Sequence, residues 1–506
     1  MAQSGLTRRT LAGMLWMGYG KAAFAILQLV VLGVLARLVT PAEFGVVSAA
    51  LVVIGVSAIV SQLGLGPAIV QRPQLESRHL DTAFTASLIL GLSLGALIWV
   101  TAPLAADFLH LDGVTPVLRA LAWVFPLNGL GTVSSSLLSR ELRFSWLANL
   151  DVITYGIGYG VVGVVTALLG WGVWALVAGQ VGQSLVRAAI LLWKNPPSPR
   201  LTIDRAAWRD LVYFGGGFTI AKLANYVALY GDNVVTGRFL GAEALGFYGR
   251  AYSLMSAPAY AFGSVLDAVL FPAMARVQDD AARLAAAYRR GVALIAIVVL
   301  APSATIILLA PEVIRVMLGE RWTAVIVPFQ ILGLGMLFRT SYKMSDSIAR
   351  STGVVYRRAW RQILYAALVV VAAWIGQRWG VAGVSWGALA ALTVNFFLMA
   401  ELSLDVSAIT WQEFWEAHRP AVLLTLCSFP VVYGATALVR GLEFPALLVI
   451  LTVGLLQLVV CVGLIRQFPK SFLGRDGQWM LETLQGYIRK RSPAIPLAAS
   501  EGRAHP

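Results

Sequence analysis

Runs of roughly 20 apolar residues recur along this chain from end to end, separated by short polar, glycine or proline stretches. A run of that length crosses a hydrocarbon core as an α-helix. The pattern predicts fourteen such helices, at 11–38, 44–70, 81–106, 116–138, 147–169, 172–193, 211–237, 244–273, 285–310, 323–347, 360–377, 381–402, 420–439 and 444–465. An even number places both termini on one side. The opening MAQSGLTRRTLAGMLWMG imitates a signal peptide, but its apolar stretch runs on to about Val39 without a small-residue cleavage site. It reads as the first span. The predicted fold class is an all-α polytopic membrane protein.

Composition agrees with the pattern. The chain is 58% hydrophobic and 13% charged with a mean hydropathy of +0.76, where a soluble domain runs at about 45–50% and about 25%. Charge adds orientation. Of 39 lysines and arginines, about 26 fall in one alternating set of loops and about six in the other. The first set includes Arg8, Arg9, Arg140, Arg143 and the segments 194–209 and 276–290; the second is Arg37, Arg238, Arg315, Arg321, Arg378 and Arg440. Lysine and arginine stay on the cytoplasmic face, so both termini are expected there. The net charge of +14 follows from this sorting and implies no nucleic-acid partner.

Other chemistry is sparse. Cys427 and Cys461 lie in apolar runs, which argues against a disulfide or a cysteine metal site. His79, His110, His418 and His505 are scattered outside the predicted spans, which removes most zinc and histidine-based catalytic readings. Neither cofactor nor metal is implied. The triple glycine at 215–217 sits in an apolar span without a following Lys-Ser/Thr, so it is no phosphate loop. Extracytoplasmic links such as GWG at 170–172 and RWG at 378–380 are too short for a globular domain. In the tail stretch GQWMLETLQGYIRKR, Met480, Leu484, Tyr487 and Ile488 share one helical face, as suits a helix lying on a membrane.

The chain also reads as duplicated. An offset of 201 residues sets Lys21 on Lys222, Arg37 on Arg238 and Gly45 on Gly246, so that LARLVTPAEFGVV answers TGRFLGAEALGFY. An offset near 208 matches WGV at 171–173 with WGV at 379–381, and one of 210 matches Arg140 with Arg350. Repeats of this kind build many transporters. The predicted organisation is a six-helix lobe at 1–193, a cytoplasmic linker at 194–209 (KNPPSPRLTIDRAAWR) and a second, parallel lobe at 210–405. Two extra membrane helices follow at 406–466, then a cytoplasmic amphipathic and basic tail at 467–506.

The segments LARLVTPAEFGVVSAALVVIGVSAIVSQLGLGPAIVQR and YGDNVVTGRFLGAEALGFYGRAYSLMSAPAYAF resemble the bacterial oligosaccharide, or polysaccharide repeat-unit, flippases. These belong to the multidrug, oligolipid and polysaccharide exporter superfamily. The likeness covers most of the chain and is best at Asp232, Gly237, Leu240, Gly241, Leu245, Gly246, Tyr248 and Ala251. It implies two lobes around a central cavity with alternating access, and no enzymatic activity. It also implies movement of a polyprenyl-pyrophosphate-linked oligosaccharide between leaflets for lipopolysaccharide or exopolysaccharide synthesis, beside a polymerase and glycosyltransferases.

Charges inside the bilayer cost about 2.5–3.5 kcal/mol on insertion scales, so each is a functional candidate. Lys21 and Lys222 sit at equivalent depths in helices one and seven, where they face one cavity or pair with an acid such as Asp151 or Asp232. In RTSYKMSDSIAR, Arg339, Lys343, Asp346 and Arg350 fall within an arc of roughly 60°. That stripe lines the inward mouth of a cavity and handles pyrophosphate, or else snorkels to the cytoplasmic interface. Asp232 with Asn233 suits a coupling ion or a bridge between helices, and Asp346 an ion pair with its neighbours. Asp267 faces the same choice. Arg119 and Arg250 are expected to anchor periplasmic helix ends.

Two relatives in chemistry remain open, a peptidoglycan-precursor flippase and a cation-coupled multidrug exporter. The exporter usually wants acids in its cavity, where this chain offers cations. A membrane polysaccharide polymerase or ligase would need a large periplasmic loop, which the spacing does not provide. The sequence names neither the sugar nor a coupling ion.

Overall fold

The computed structural model describes residues 23–62, 65–72, 74–196 and 201–491. These form helices joined by tight turns. We number them α1 (Ala23–Leu38), α2 (Pro41–Gln62), α3 (Ser77–Leu109), α4 (Val114–Arg140), α5 (Phe144–Leu168), α6 (Val173–Lys194), α7 (205–240) and α8 (242–275). Then come α9 (Ala281–Leu308), α10 (Glu320–Gly333 with Met336–Ser351), α11 (Val355–Gly376), α12 (Gly380–Ser407), α13 (Trp411–Gly441), α14 (Ala446–Gln467) and α15 (Pro469–Arg491). The end of the bundle holding the turns at 39–40, 169–172, 241 and 442–445 is called the far end. The end holding 141–143, 276–280 and 408–410 is the near end.

Nine helices among the described residues are long and apolar enough to cross a membrane, or ten with the bent pair in α10 counted as one. The sequence predicts fourteen. Several predicted spans lie within partly described or merged stretches. Helix α1 is described only from residue 23, and 356–407 passes as one stretch although it holds the turn at 377–380. The 205–275 stretch also reverses, at Gly241 with φ 87°. Tyr248 donates to Asp232 across 2.5 Å, whereas 16 residues of straight helix would separate them by about 24 Å.

The two equivalent far-end turns are built differently. Between α1 and α2, Thr40 accepts from the Glu43 amide at 3.3 Å and Glu43 accepts from the Thr40 amide at 2.8 Å. This reciprocal cap, with Pro41 opening the helix, starts α2. Between α7 and α8 the equivalent of Thr40 is Gly241, and a positive φ makes the turn instead.

The lobes meet where α2 packs along α7 and α8. A β-carbon on Gly45 would sit 1.7 Å from the Ala242 carbonyl oxygen, and one on Gly246 would sit 2.0 Å from the Pro41 oxygen. Two arginines reach across. Arg37 of α1 donates to the Val316 carbonyl at 2.6 Å, and Arg238 of α7 donates to the Phe108 carbonyl while lying over its ring at 4.6 Å. Trp322 completes the seal. It is fully buried, donates to the Ala36 carbonyl at 2.8 Å and meets Phe44 and Phe247 edge-on.

Helix α10 bends by 47° between its two arms. At the bend, Gly333 lies against Ile307 and Gly335 against Leu389 and Leu392. RTSYKMSDSIAR therefore belongs wholly to the second arm. His79 and His418 are buried within α3 and α13 rather than outside them, because those helices start ahead of their apolar windows. Helix α15 docks on the near end: Asp476 accepts from Arg289 at 2.8 Å and the Arg290 guanidinium covers the Trp479 ring at 3.4 Å.

Candidate functional site

Beneath the far-end seal lies a cavity of about 790 Å³ between the lobes, lined by α1, α2, α5, α6, α7 and α8. Glycines make room for its aromatic walls. Gly55 of α2 admits Tyr226, whose hydroxyl donates to the Val52 carbonyl at 3.2 Å. Gly179 of α6 admits the ring of Tyr159, whose hydroxyl donates to Gln180 at 2.9 Å. Tyr226 and Tyr230 on α7 lie with centroids 4.5 Å apart, and Tyr155 and Tyr159 on α5 stack at 5.1 Å.

Among the described residues lining this cavity, Arg250 is the one that carries a formal charge. It stands eight residues into α8, about 12 Å from the turn at 1.5 Å per residue. Its guanidinium lies over the Phe44 ring at 5.0 Å, with the Tyr155 and Tyr159 phenols within reach of its charge. No carboxylate pairs with it among the described residues, and its Nε is buried without a hydrogen-bond partner. Two more cavity atoms share that condition, Asn233 Oδ1 and Ser256 Oγ. Buried polar atoms are nearly always satisfied. Three of the lining residues thus each carry a buried polar atom without a partner among the described residues.

The expected site residues fall in different places. Lys21 lies outside the described residues. Lys222 is within α7, and its side chain lies outside what is described. Arg339 is buried in the second lobe behind Tyr252, 5.8 Å from that ring, with Asp232 within range of its charge. Lys343 is half-buried on the same arm and does not line the cavity. Asp346 receives Arg350 at 3.1 Å, Arg358 at 2.5 Å and the Tyr342 hydroxyl at 3.4 Å. Asp232 is buried, bound to the Tyr248 hydroxyl and the Asn233 amide, while Asn233 itself lines the cavity. Asp267 belongs to α8, and its side chain is not among those described.

Arg119 is placed as expected at a far-end contact, over the Trp99 ring at 4.5 Å. Arg250 is not at a helix end: α8 starts at 242, ahead of the predicted 244, and the residue is turned inward. A sequence feature pointed there. Arg250, Ser253 and Ala257 recur at helical spacing, and all three line the cavity.

A family model described as "Polysaccharide biosynthesis protein" matches residues 34–327, more than half of the chain. The chain is 22% identical to the teichuronic acid biosynthesis protein TuaB of Bacillus subtilis, over 85% of this chain and 90% of that one. It is 24% identical to the lipopolysaccharide biosynthesis protein WzxC of Escherichia coli, over 78% and 80%. Among solved structures it superposes on the lipid II flippase MurJ in an inward closed conformation with a TM-score of 0.72, at 11% identity, over 90% of this chain and 99% of that one. An inward-facing multidrug-resistance transporter of the MOP superfamily gives a TM-score of 0.61 at 18% identity, over 76% and 96%. With its two lobes, its closed far end and this match, the chain belongs to the polysaccharide biosynthesis protein family and carries the exporter-superfamily fold.

Proposed function

We propose that the protein moves a polyprenyl-pyrophosphate-linked oligosaccharide repeat unit from the cytoplasmic to the periplasmic leaflet of the bacterial inner membrane. The product serves lipopolysaccharide or exopolysaccharide synthesis. Arg250 carries the reading: a guanidinium kept in a membrane cavity with no carboxylate partner among the described residues is costly unless an anion visits it. Its planar donor fork suits a phosphate. The near end is assigned to the cytoplasm from the excess of lysine and arginine in its loops, and both termini lie there.

Substrate enters from that side. Lys222 occupies the register position one turn before Tyr226, and the repeat in the sequence pairs Lys21 with Lys222. With Arg339, Lys343 and Arg350, these cations form the approach to Arg250. Rocking of the lobes then opens the far-end seal while the prenyl tail stays in lipid. Asp232 and Asn233 bridge helices or hold a coupling ion, and Asp346 keeps its arginines in place. The chain has no nucleotide-binding motif, so a gradient or mass action drives the step. A polymerase and glycosyltransferases are the proposed partners, and no chemical reaction is assigned to the protein.

The test is complementation of a strain lacking its own flippase, scored by surface polysaccharide with membrane abundance measured alongside. Alanine at Arg250, Lys21, Lys222, Arg339 or Lys343 is expected to lower polysaccharide at unchanged abundance, Arg250 most. Full activity in all five would remove the cationic route.

A further inference from the structure

Helix α15 is fitted against α9 and α13 at the near end. Gly474, at φ 60°, turns its chain, and a β-carbon there would sit 2.7 Å from the Pro420 ring of α13. Asp476 and Gly477 follow and are buried. Gly477 lies against α9, where a β-carbon would sit 3.4 Å from the Ile297 side chain.

Three successive residues of α9 reach two different partners. The buried Tyr288 shares a hydrogen bond of 3.2 Å with the Ser345 hydroxyl on the second arm of α10. Arg289 donates to Asp476 of α15 at 2.8 Å and lies 3.6 Å from Glu413, which belongs to the cap of α13. Arg290 covers the Trp479 ring at 3.4 Å, with its Nε 3.9 Å from Asp476. One turn of α9 thus joins the tail helix to the arm that carries RTSYKMSDSIAR. On that arm Thr340, Ser341, Ser345, Ser347 and Ser351 are all buried, and Ser341 Oγ has no hydrogen-bond partner among the described residues. Buried polar atoms are nearly always satisfied, so an arm this rich in hydroxyls suits a second state in which water reaches it.

We propose that α15 is a latch on the near end of the second lobe. Docked through Asp476 and Trp479, it holds the start of α9 and, through Tyr288, keeps the α10 arm buried. Undocked, it frees that turn of α9, and the arm moves to where water meets its hydroxyls. The ion pair sets the strength of the latch, because breaking it leaves a buried charge without its partner. The ring beneath Arg290 adds a cation–π contact to the same hold. The latch belongs to the second lobe and its tail helix, and it does not rest on the transport reading.

Labelling of one buried position reads the latch without any cargo. Ser341→Cys is introduced into the full-length protein carrying Cys427→Ala and Cys461→Ala, and its reaction with a maleimide is timed. Asp476→Asn and Trp479→Ala should each speed that labelling by about tenfold. Tyr288→Phe, which cuts the link to Ser345 and leaves α15 docked, should speed it as well. Trp479→Phe keeps a ring beneath Arg290 and should label as the parent does. Phe247→Cys, at the far end, should label no faster in any of them, since general loosening would raise both ends. Unchanged labelling of Ser341→Cys in the Asp476, Trp479→Ala and Tyr288 variants, or an equal rise at both ends, would overturn the latch. The thermal midpoint of each variant shows that it is folded, and if Asp476→Asn does not fold, Trp479→Ala and Tyr288→Phe decide.

Discussion

Gly45 and Gly246, 201 residues apart, each turn the bare side of a helix onto the backbone of the other lobe. Gly45 faces the Ala242 carbonyl and Gly246 faces the Pro41 carbonyl. They are the pair that the internal repeat equates, so the far-end closure is made twice by one device. Any side chain at either position meets backbone, which cannot swing aside.

Alanine at either glycine should therefore disfavour the closed far end. Overpacking of this kind costs about 1–3 kcal/mol, which shifts the balance of closed to open by about 5- to 150-fold. A cysteine placed at Phe247 should react faster with a membrane-impermeant maleimide in Gly45→Ala and Gly246→Ala than in the parent. Unchanged labelling would show that the approach is not the closure.

Arg37 and Arg238 form the second exchange, each donating to a carbonyl of the opposite lobe. Charge-assisted bonds of this type contribute about 1.5–3 kcal/mol each. Arg37→Ala and Arg238→Ala should each raise far-end labelling by about tenfold, and the double variant by more than either. If the double variant behaves as the parent, the clasps only decorate a seal made by packing.

At the near end, Asp346 is buried between Arg350 and Arg358. Removing one partner of such a cluster costs about 3 kcal/mol, because the remaining charges are left unpaired. Asp346→Ala should lower the thermal midpoint in detergent, and adding Arg358→Met should recover part of the loss. A midpoint equal to the parent's would show that water already screens the cluster.

Glu312, in the short far-end helix 310–317, takes two hydrogen bonds from Arg440 at 2.7 and 2.8 Å. Burial pushes its carboxyl up, but the Arg440 bonds and charge, with Arg315 beyond, outweigh this and hold it below the ordinary range. A carboxylate lowered on folding stabilises the protein above its unfolded pKa, and that contribution fades as pH falls through the folded value. The attachment of α13 should thus weaken in acid. Amide protection at 310–317, corrected for the intrinsic exchange rate, should fall as pH drops below the ordinary glutamate range in the parent, and much less in Glu312→Gln.

Much of this was legible beforehand, and the residues show why. The apolar windows anticipated an all-helical bundle, though not its count of spans, because lipid and protein interior both demand apolar side chains. The offset of 201 placed Gly45 beside Gly246 as equivalents, since both copies solve one packing problem. What hydropathy does not distinguish is which wall a half-apolar face meets. Tyr155 and Tyr159 read as ordinary span residues, and nothing in GIGYGVVG separates the π-helical turn that Gly156–Gly163 form from an α-helical one. Arg250 read as an anchor because its depth turned on a helix start uncertain by a few residues. Arg339 has the depth of a cavity cation in sequence, but hydropathy does not show the bend of α10 ahead of it or its place beside the Tyr252 ring.

The most direct measurement is translocation itself. The protein is reconstituted in liposomes with a fluorescent polyprenyl-pyrophosphate oligosaccharide, and the fraction reaching the other leaflet is read by an impermeant quencher. The account predicts flipping by the parent, partial flipping by Arg250→Lys and at least a tenfold slower rate in Arg250→Ala at equal incorporation. Flipping by Arg250→Ala at the parent's rate would contradict it.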